Sequence, residues 1–374
     1  MKDSLAEKIL AKTMDWDNET LRQELNRLQI MSALKYDQYQ QFSNGKQFIE
    51  SLALWLKRFS KDDRQEAYLF VKQNLVFISE REMQQLISVA YDELVKAFIV
   101  KQSKDCNNSR LLDNYTKKQL YQYYLRKTLF LGLSDGAHMD FFRRCNNFLS
   151  NEQVFMHYDI SGEKYEGMKK ELQKDLSEIY EKAAVKEEEF LNFVLIDDFS
   201  ASGISYVRYD YEEAAWKGKL VKFIENVLLK VTKTNNFNIS VILYVATPKA
   251  VETIRGNLEL FFKEKRYDIN FTVQAVQYVS GVKLDEKQEE LLKKDFELHN
   301  HENYKTFIDS HFAKGILAKP YHGFNGCSLP LVLYHNTPND SFPILWHSWH
   351  EKNSTDLMIK NEALFPRVTR HKEY

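Results

Sequence analysis

The apolar run Phe193-Val194-Leu195-Ile196 stops at two acids, Asp197 and Asp198. Four consecutive apolar residues without polar alternation read as a strand buried on both faces, as in parallel sheets covered by helices. A stretch of small residues follows (Ser200, Ala201, Ser202, Gly203, Ile204, Ser205), and a helix is expected beyond it. Strand, acid pair, small-residue loop and helix start together can hold a sugar phosphate. Backbone N–H groups and a helix dipole favour the anion, small side chains let it approach, and carboxylates one loop away can accept hydrogen bonds from ribose hydroxyls. The plain alternative is an Asp that caps an ordinary helix. Capping leaves the placing of Ser200, Ser202, Gly203 and Ser205 unexplained.

Around this segment strands and helices alternate. Thr128 to Leu133, Val154 to Ile160, Ser240 to Ala246 and Asn270 to Val279 read as further strands. Helices are expected through Phe141 and Phe142, along the stripe Tyr165, Met168, Leu172, Leu176 and Ile179, over Trp216 to Leu229, and over Lys249 to Lys263. Such alternation implies right-handed crossovers and an α/β fold with a mostly parallel sheet and flanking helices. In these sheets ligands bind beyond the carboxyl ends of the strands, where the strand order reverses. Asp197 and the loop Ser134-Asp135-Gly136-Ala137 both fall at strand ends, so one cleft can hold both.

The first third reads as helical instead. Phe48, Leu52, Trp55, Leu56 and Phe59 form one apolar stripe, and Ser79-Glu80-Arg81-Glu82 is a capping box ahead of Met83, Leu86, Ile87, Ala90, Leu94 and Phe98. A polar stretch from Lys101 to Asn114 reads as a loop between regions. The expected division is a helical domain over 1–115, an α/β domain over 116–320 and a C-terminal segment over 321–374. Five of the six prolines lie from Pro320 onward. There Leu329 to Tyr334, a turn at His335 to Asp340, and Ser341 to Trp346 read as an edge hairpin.

Composition narrows the classes. With 374 residues, 44% of them hydrophobic and 14% aromatic, the chain can bury a large core and disorder is excluded as its main state. Lys plus Arg, 52, against Asp plus Glu, 53, gives no global pull toward nucleic acid or an anionic membrane. Three scattered cysteines (Cys106, Cys145, Cys327) form no disulfide or zinc spacing. No apolar run is long enough for a signal sequence or a span. A cytoplasmic protein without membrane contact is expected.

LIDDFSASGIS resembles the ribose-phosphate motif of type I phosphoribosyltransferases, and FLGLSDGAHMDFFRR resembles the strand, loop and helix of their pyrophosphate loop. With HNTPNDSFPILW, the closing ALFPR and the helical N-terminal region, nearly the whole chain is similar to phosphoribosyltransferase-like effectors of bacterial anti-phage conflict systems, including retron-associated ones. The resemblance implies transfer or cleavage at ribose C1 of phosphoribosyl pyrophosphate or a related nucleotide. Asp197 and Asp198 would contact the ribose 2- and 3-hydroxyls, and Ser200 to Ser205 would hold the 5-phosphate. Ser134, Asp135, Gly136 and Ala137 would lie at the pyrophosphate, with magnesium on Asp135. Asp135 departs from the family's basic or glycine-rich loop and would either bind that magnesium or repel a pyrophosphate. No mobile lid is evident between the second and third strands. A reverse transcriptase and the non-coding RNA or DNA of a defence operon are the implied partners, and release from them the implied activating event. A regulatory module that senses a nucleotide or phosphoribosyl ligand without chemistry is the alternative.

Other motifs have bland and sharp readings side by side. Arg143 and Arg144 can reach a phosphate, while Asp140 four residues before Arg144 supplies a simple ion pair. His347 and His350 flank Trp349 but lack further ligands at metal spacing, so an aromatic cluster is the simpler reading. Trp346, His335 and Asn336 can form a hood over an acceptor base, or Asn336 can merely shape its turn. Tyr121, Tyr123 and Tyr124 among Lys117, Lys118, Arg126 and Lys127 suit single-stranded nucleic acid, and equally a packed helix.

Overall fold

The computed structural model describes residues 3–105, 116–179, 188–232, 237–299, 319–352 and 358–368. Two compact units emerge: Met83–Val279, and a second made from both ends of the chain, Met1–Glu82 with Ser280–Tyr374. This division does not fall at the expected bounds of 115/116 and 320/321. Residues 101–105 continue the helix Lys96–Asp105, and the rest of the expected loop, 106–115, lies outside the described residues.

The unit Met83–Val279 is organised by a five-stranded parallel sheet. Its strands in chain order are β1 (Thr128–Gly132), β2 (Val154–Phe155), β3 (Asn192–Ser200), β4 (Asn238–Ala246) and β5 (Asn270–Tyr278). They lie side by side as β2-β1-β3-β4-β5. Every residue of β1 and β4 is buried, as is β3 through Asp197, which is why these segments lack polar alternation. β5, at the edge, is only partly covered. Helices α1 (Lys117–Arg126), α2 (Met139–Cys145), α3 (Gly162–Ile179) and α4 (Pro248–Lys265) accompany the sheet. The buried face of α3 is Tyr165, Met168, Leu172 and Leu176, as its spacing requires, and α4 buries Ala250, Ile254, Leu258 and Phe261. Each fully buried aliphatic or aromatic side chain here contributes roughly 1.5–3 kcal/mol.

The strand order decides where a ligand can enter. From β1 the chain steps outward to β2, then returns past β1 to β3 and continues in the other direction to β4 and β5. Connections leave β1 and β3 on opposite sides, so a crevice opens at their carboxyl ends. Both sequence-derived loops begin there.

One expected helix is displaced. Residues 204–206 form a turn, and an antiparallel hairpin follows, pairing Arg208–Asp210 with Ala215–Lys217. The helix begins only at Lys219. Trp216 sits opposite Tyr209 in the hairpin, and this cross-strand aromatic pair, with centroids 5.4 Å apart, outweighs the helical pattern.

The other unit contains the helices Asn18–Leu34, Phe48–Leu56, Lys61–Asn74 and Glu286–His299. Phe48, Leu52, Trp55, Leu56 and Phe59 are all buried. Ser79 and Glu82 cap each other's backbone N–H, at 2.8 Å and 3.3 Å, as the capping box requires. No hairpin runs over 329–346. Leu331–Leu333 pairs in parallel with Val76–Ile78, and Pro343–Trp346 turns helical. A proline at the first helical position suits a helix start and removes a ladder donor, which explains the change. The C-terminal hairpin lies further on, between Trp349–Lys352 and Met358–Asn361. Phe365 of the ALFPR string is fully buried, stacked near Phe42 and Phe48 and edge-on to Tyr39. Its neighbours are pinned by Ser51 Oγ on the Leu364 carbonyl (2.7 Å) and Tyr39 OH on the Pro366 carbonyl (2.6 Å).

Candidate functional site

Asp197 and Asp198 are adjacent on β3 but face different surroundings. Asp197 is 1% exposed. Its Oδ1 accepts from Ser134 Oγ, and its Oδ2 accepts from Tyr206 OH and Lys219 Nζ, each at 2.6 Å. Burial pushes its carboxyl above the ordinary value; the Lys219 ammonium opposes that and the Asp198 charge adds to it. Three donors from three segments converge on one carboxyl. Asp197 thus ties the β1 loop, the turn after β3 and the start of the helix at Lys219 together.

Asp198 is half-buried and faces the same loop further along, at Gly136. A Cβ placed on Gly136 would lie 2.4 Å from Asp198 Oδ2. A side chain at position 136 would force the Asp198 carboxyl to move. The Ser134–Ala137 loop therefore meets the acid pair at the end of β3 twice, at Ser134–Asp197 and at Gly136–Asp198. Asp135 points away, its side chain 96% exposed, with His157 Nε2 3.7 Å from Oδ1.

The turn after β3 is held as firmly. Thr247, which caps α4, donates from its amide to the Ser200 carbonyl (3.1 Å) and from its hydroxyl to the Ala201 carbonyl (2.6 Å). Gly203 has φ +77°, and a Cβ there would meet the Ala250 carbonyl of α4 at 2.7 Å. Ser200, Ala201 and Ser202 are buried, Ile204 is half-buried and Ser205 is exposed. The amide of Tyr206 closes the turn on the Gly203 carbonyl at 3.1 Å. Since no helix starts here, a phosphate at this turn would rely on loop amides and on the nearby Lys219 rather than on a helix dipole.

Three residues that sequence reasoning missed complete the surroundings. Tyr206 and Lys219 bracket the inserted hairpin, and nothing local marks Lys219 as an acid partner. Tyr244 on β4 donates to the Ala137 carbonyl at 2.9 Å; burial first, then the charges of Asp198 and Asp197, hold its phenol well above the ordinary value. An apolar strand with a single buried tyrosine was the only hint.

The remaining candidates are occupied by packing. Trp346 is 6% exposed, its indole N–H bonds the Ser341 carbonyl at 2.9 Å, and Arg367 lies over its ring. Asn336 accepts from the amides of Thr337 (3.0 Å) and Val368 (3.1 Å), fixing its turn and the tail. His335 packs against Tyr334, and its carbonyl accepts from Gln41 at 2.7 Å. His347 lies against Trp346, while the side chains of Trp349 and His350 lie outside the described residues. On α1, Tyr123 bonds Glu188, Tyr124 is buried, Tyr121 meets Tyr91, Arg126 pairs with Asp175 and Lys127 with Glu188. Those three tyrosines, with Arg126 and Lys127, take part in the fold, while Lys117 and Lys118 are exposed. Arg144 pairs with Asp140 at 2.8 Å and Arg143 bonds Asn151.

For magnesium, the described residues contain no trio of His, Cys, Asp or Glu able to enclose an ion. Magnesium keeps waters and bridges phosphate oxygens with one or two carboxylates. The exposed Asp135 fits that mode, with the ion arriving on a phosphate ligand. Among the described residues no helix is long and apolar enough to cross a membrane.

A doubly wound parallel α/β unit with an acid pair and a small-residue turn at its switch point is the architecture of phosphoribosyltransferase-like proteins. The PRTase-CE family model matches residues 52–367, and the chain belongs to that effector-like phosphoribosyltransferase family. No curated protein and no solved structure matches.

Proposed function

We propose that the crevice between β1 and β3 binds a phosphoribosyl ligand, phosphoribosyl pyrophosphate or a nucleotide, and that the protein cleaves or transfers at ribose C1. The observation that carries this is the double contact of the Asp197–Asp198 strand end with the Ser134–Ala137 loop at the switch point. Asp198 is the carboxylate that meets the ribose hydroxyls. Asp197 organises the loops and places Lys219 beside the anionic ligand. As the bond from C1 to the leaving group lengthens, positive charge grows on the ribose ring and Asp198 stabilises it. Amides of the Ser134–Ala137 loop hold the departing pyrophosphate, and Ser202, Ser205 and the turn amides orient the 5-phosphate. Magnesium bound with the ligand at Asp135 would supply charge neutralisation to the leaving group.

A sensing role without chemistry is the second reading. It is favoured by the full engagement of Asp197 and by the negative charge that Asp135 brings to the pyrophosphate loop. Calorimetry with phosphoribosyl pyrophosphate and magnesium, followed by product analysis, separates the two. Saturable binding that Asp198→Asn weakens tenfold or more, with release of pyrophosphate, supports the enzyme. Binding without turnover supports the sensor, and no binding sinks both. The defence role, and partnership with a reverse transcriptase and its RNA or DNA, extend the family resemblance. Nucleotide pools after expression of wild type and of an Asp197→Asn, Asp198→Asn double variant test that role, and equal pools would refute it.

A further inference from the structure

The hairpin between Tyr206 and Lys219 creates a second concave feature, separate from the crevice at the acid pair. Between it and α4 lies an open cavity of about 740 Å³, within the size range of small-molecule sites. Its walls include Arg208, Tyr209, Tyr211, Trp216, Asn257 and Lys263. Three aromatic rings run in series from the core outward. Trp216 contacts Phe261 of α4 with centroids 5.5 Å apart, Tyr209 contacts Trp216 at 5.4 Å, and Tyr211 contacts Tyr209 at 5.1 Å. Tyr211, the outermost, is 88% exposed. A large ring kept in water at the end of a braced aromatic row is costly to solvate and is a ready stacking platform.

We propose that this groove is a second ligand site that takes a single nucleotide: a base stacked on Tyr211 and Tyr209, with its phosphate at Arg208 and Lys263. Charge selects this class. The Glu264 carboxylate accepts the Trp216 indole N–H at 2.9 Å and is thereby committed to the wall. Asn257 donates its amide N–H to the Val207 carbonyl at 3.0 Å, which fixes its amide oxygen as an acceptor for a base edge. A longer nucleic acid strand fits less well. The hairpin tip carries Asp210, Glu212 and Glu213 around one lysine, Lys217, which pairs with Asp210 and Glu213. Continued phosphates would meet that acidic tip.

The groove is also wired to the crevice. Tyr206 and Lys219, at the two ends of the insert, both bond Asp197 Oδ2. The stem is closed by Lys219 N–H to the Ser205 carbonyl (3.1 Å) and Leu220 N–H to the Tyr206 carbonyl (2.9 Å). A nucleotide that orders the hairpin therefore bears on the loop that holds Asp197.

The four nucleoside 5′-monophosphates, titrated into the full chain by calorimetry, test the site. At least one is expected to bind saturably. Tyr211→Ala and Lys263→Glu, both at exposed positions where folding is safe, should each weaken it about tenfold or more, ~1.4 kcal/mol. The matching nucleoside should bind more weakly than its monophosphate, and Asp198→Asn should leave the affinity unchanged. The idea is overturned if no monophosphate saturates, if Tyr211→Ala binds like wild type, or if binding disappears in Asp198→Asn alone. Capture of a protein at Tyr211 that monophosphates fail to displace would also overturn it. Because Asp198→Asn is one arm, failure here is distinguishable from failure at the acid pair.

Discussion

The strand ends of the unit Met83–Val279 and the segment from Leu329 to Val368 are equally conspicuous as strings, yet the fold uses them in opposite ways. At the strand ends, acids, small residues and hydroxyls meet across a crevice that the strand order itself creates. In the later segment, Asn336, Trp346 and Phe365 are spent on holding the chain together: a turn, an indole bond and a buried ring. The difference is topological. Polar groups beyond the carboxyl ends of parallel strands have no ladder partners ahead of them, so they can serve a ligand. Polar groups inside a helical packing must satisfy each other, because an unpaired buried donor is expensive.

That contrast can be broken by substitution. Phe365→Ala should cost about 3–5 kcal/mol through the cavity it leaves among Tyr39, Phe42 and Phe48, seen as a lowered urea midpoint. Phosphoribosyl pyrophosphate binding by the protein that remains folded should be unchanged. Asp197→Ala removes the acceptor of three donors and should cost about 2–4 kcal/mol while also abolishing ligand binding. Gly136→Ala forces a methyl onto the Asp198 carboxyl, for about 1–3 kcal/mol in an urea melt and at least a tenfold loss of affinity. Asp198→Asn is the sharpest contrast with its neighbour, shifting stability by less than about 1 kcal/mol while weakening ligand binding tenfold or more. A ligand effect from Phe365→Ala comparable to that of Asp198→Asn would erase the distinction between the two regions.

The smallest effect is a slope with pH. Asp197 binds its proton more tightly in the folded chain than in the unfolded one, because burial disfavours its charge. Its contribution to stability is then fully present below the ordinary carboxylate value and is lost as pH rises through the elevated folded value. Urea midpoints measured upward from pH 4 should fall across that window in wild type, and Asp197→Asn should remove that part of the fall.

Much of the sheet was legible. Unbroken apolar runs at 193–196 and 241–246 marked buried parallel strands, and the helical stripe of α3 marked its covered face, since those patterns follow from which surfaces are dry. The helix expected over Trp216 to Leu229 starts three residues later, at Lys219, because Trp216 and Lys217 belong to the hairpin. The cross-strand pairing of Tyr209 with Trp216 is not visible as a local pattern. The Leu329–Trp346 hairpin failed for a related reason. Leu331–Leu333 found its strand partner at Val76–Ile78, some 250 residues earlier in the chain.

What the sequence determined by itself is local. It placed two acids at the end of a buried strand, a small-residue turn after them and a glycine-bearing loop after another strand, because burial, turn geometry and charge act over a few residues. The tertiary structure decided what surrounds each acid. Lys219, twenty-two positions away, and Ser134, sixty-three away, both reach Asp197, whereas Asp198 lies beside Gly136. Only the packing of the strands could set that division, since it depends on which distant donors are brought within hydrogen-bond reach.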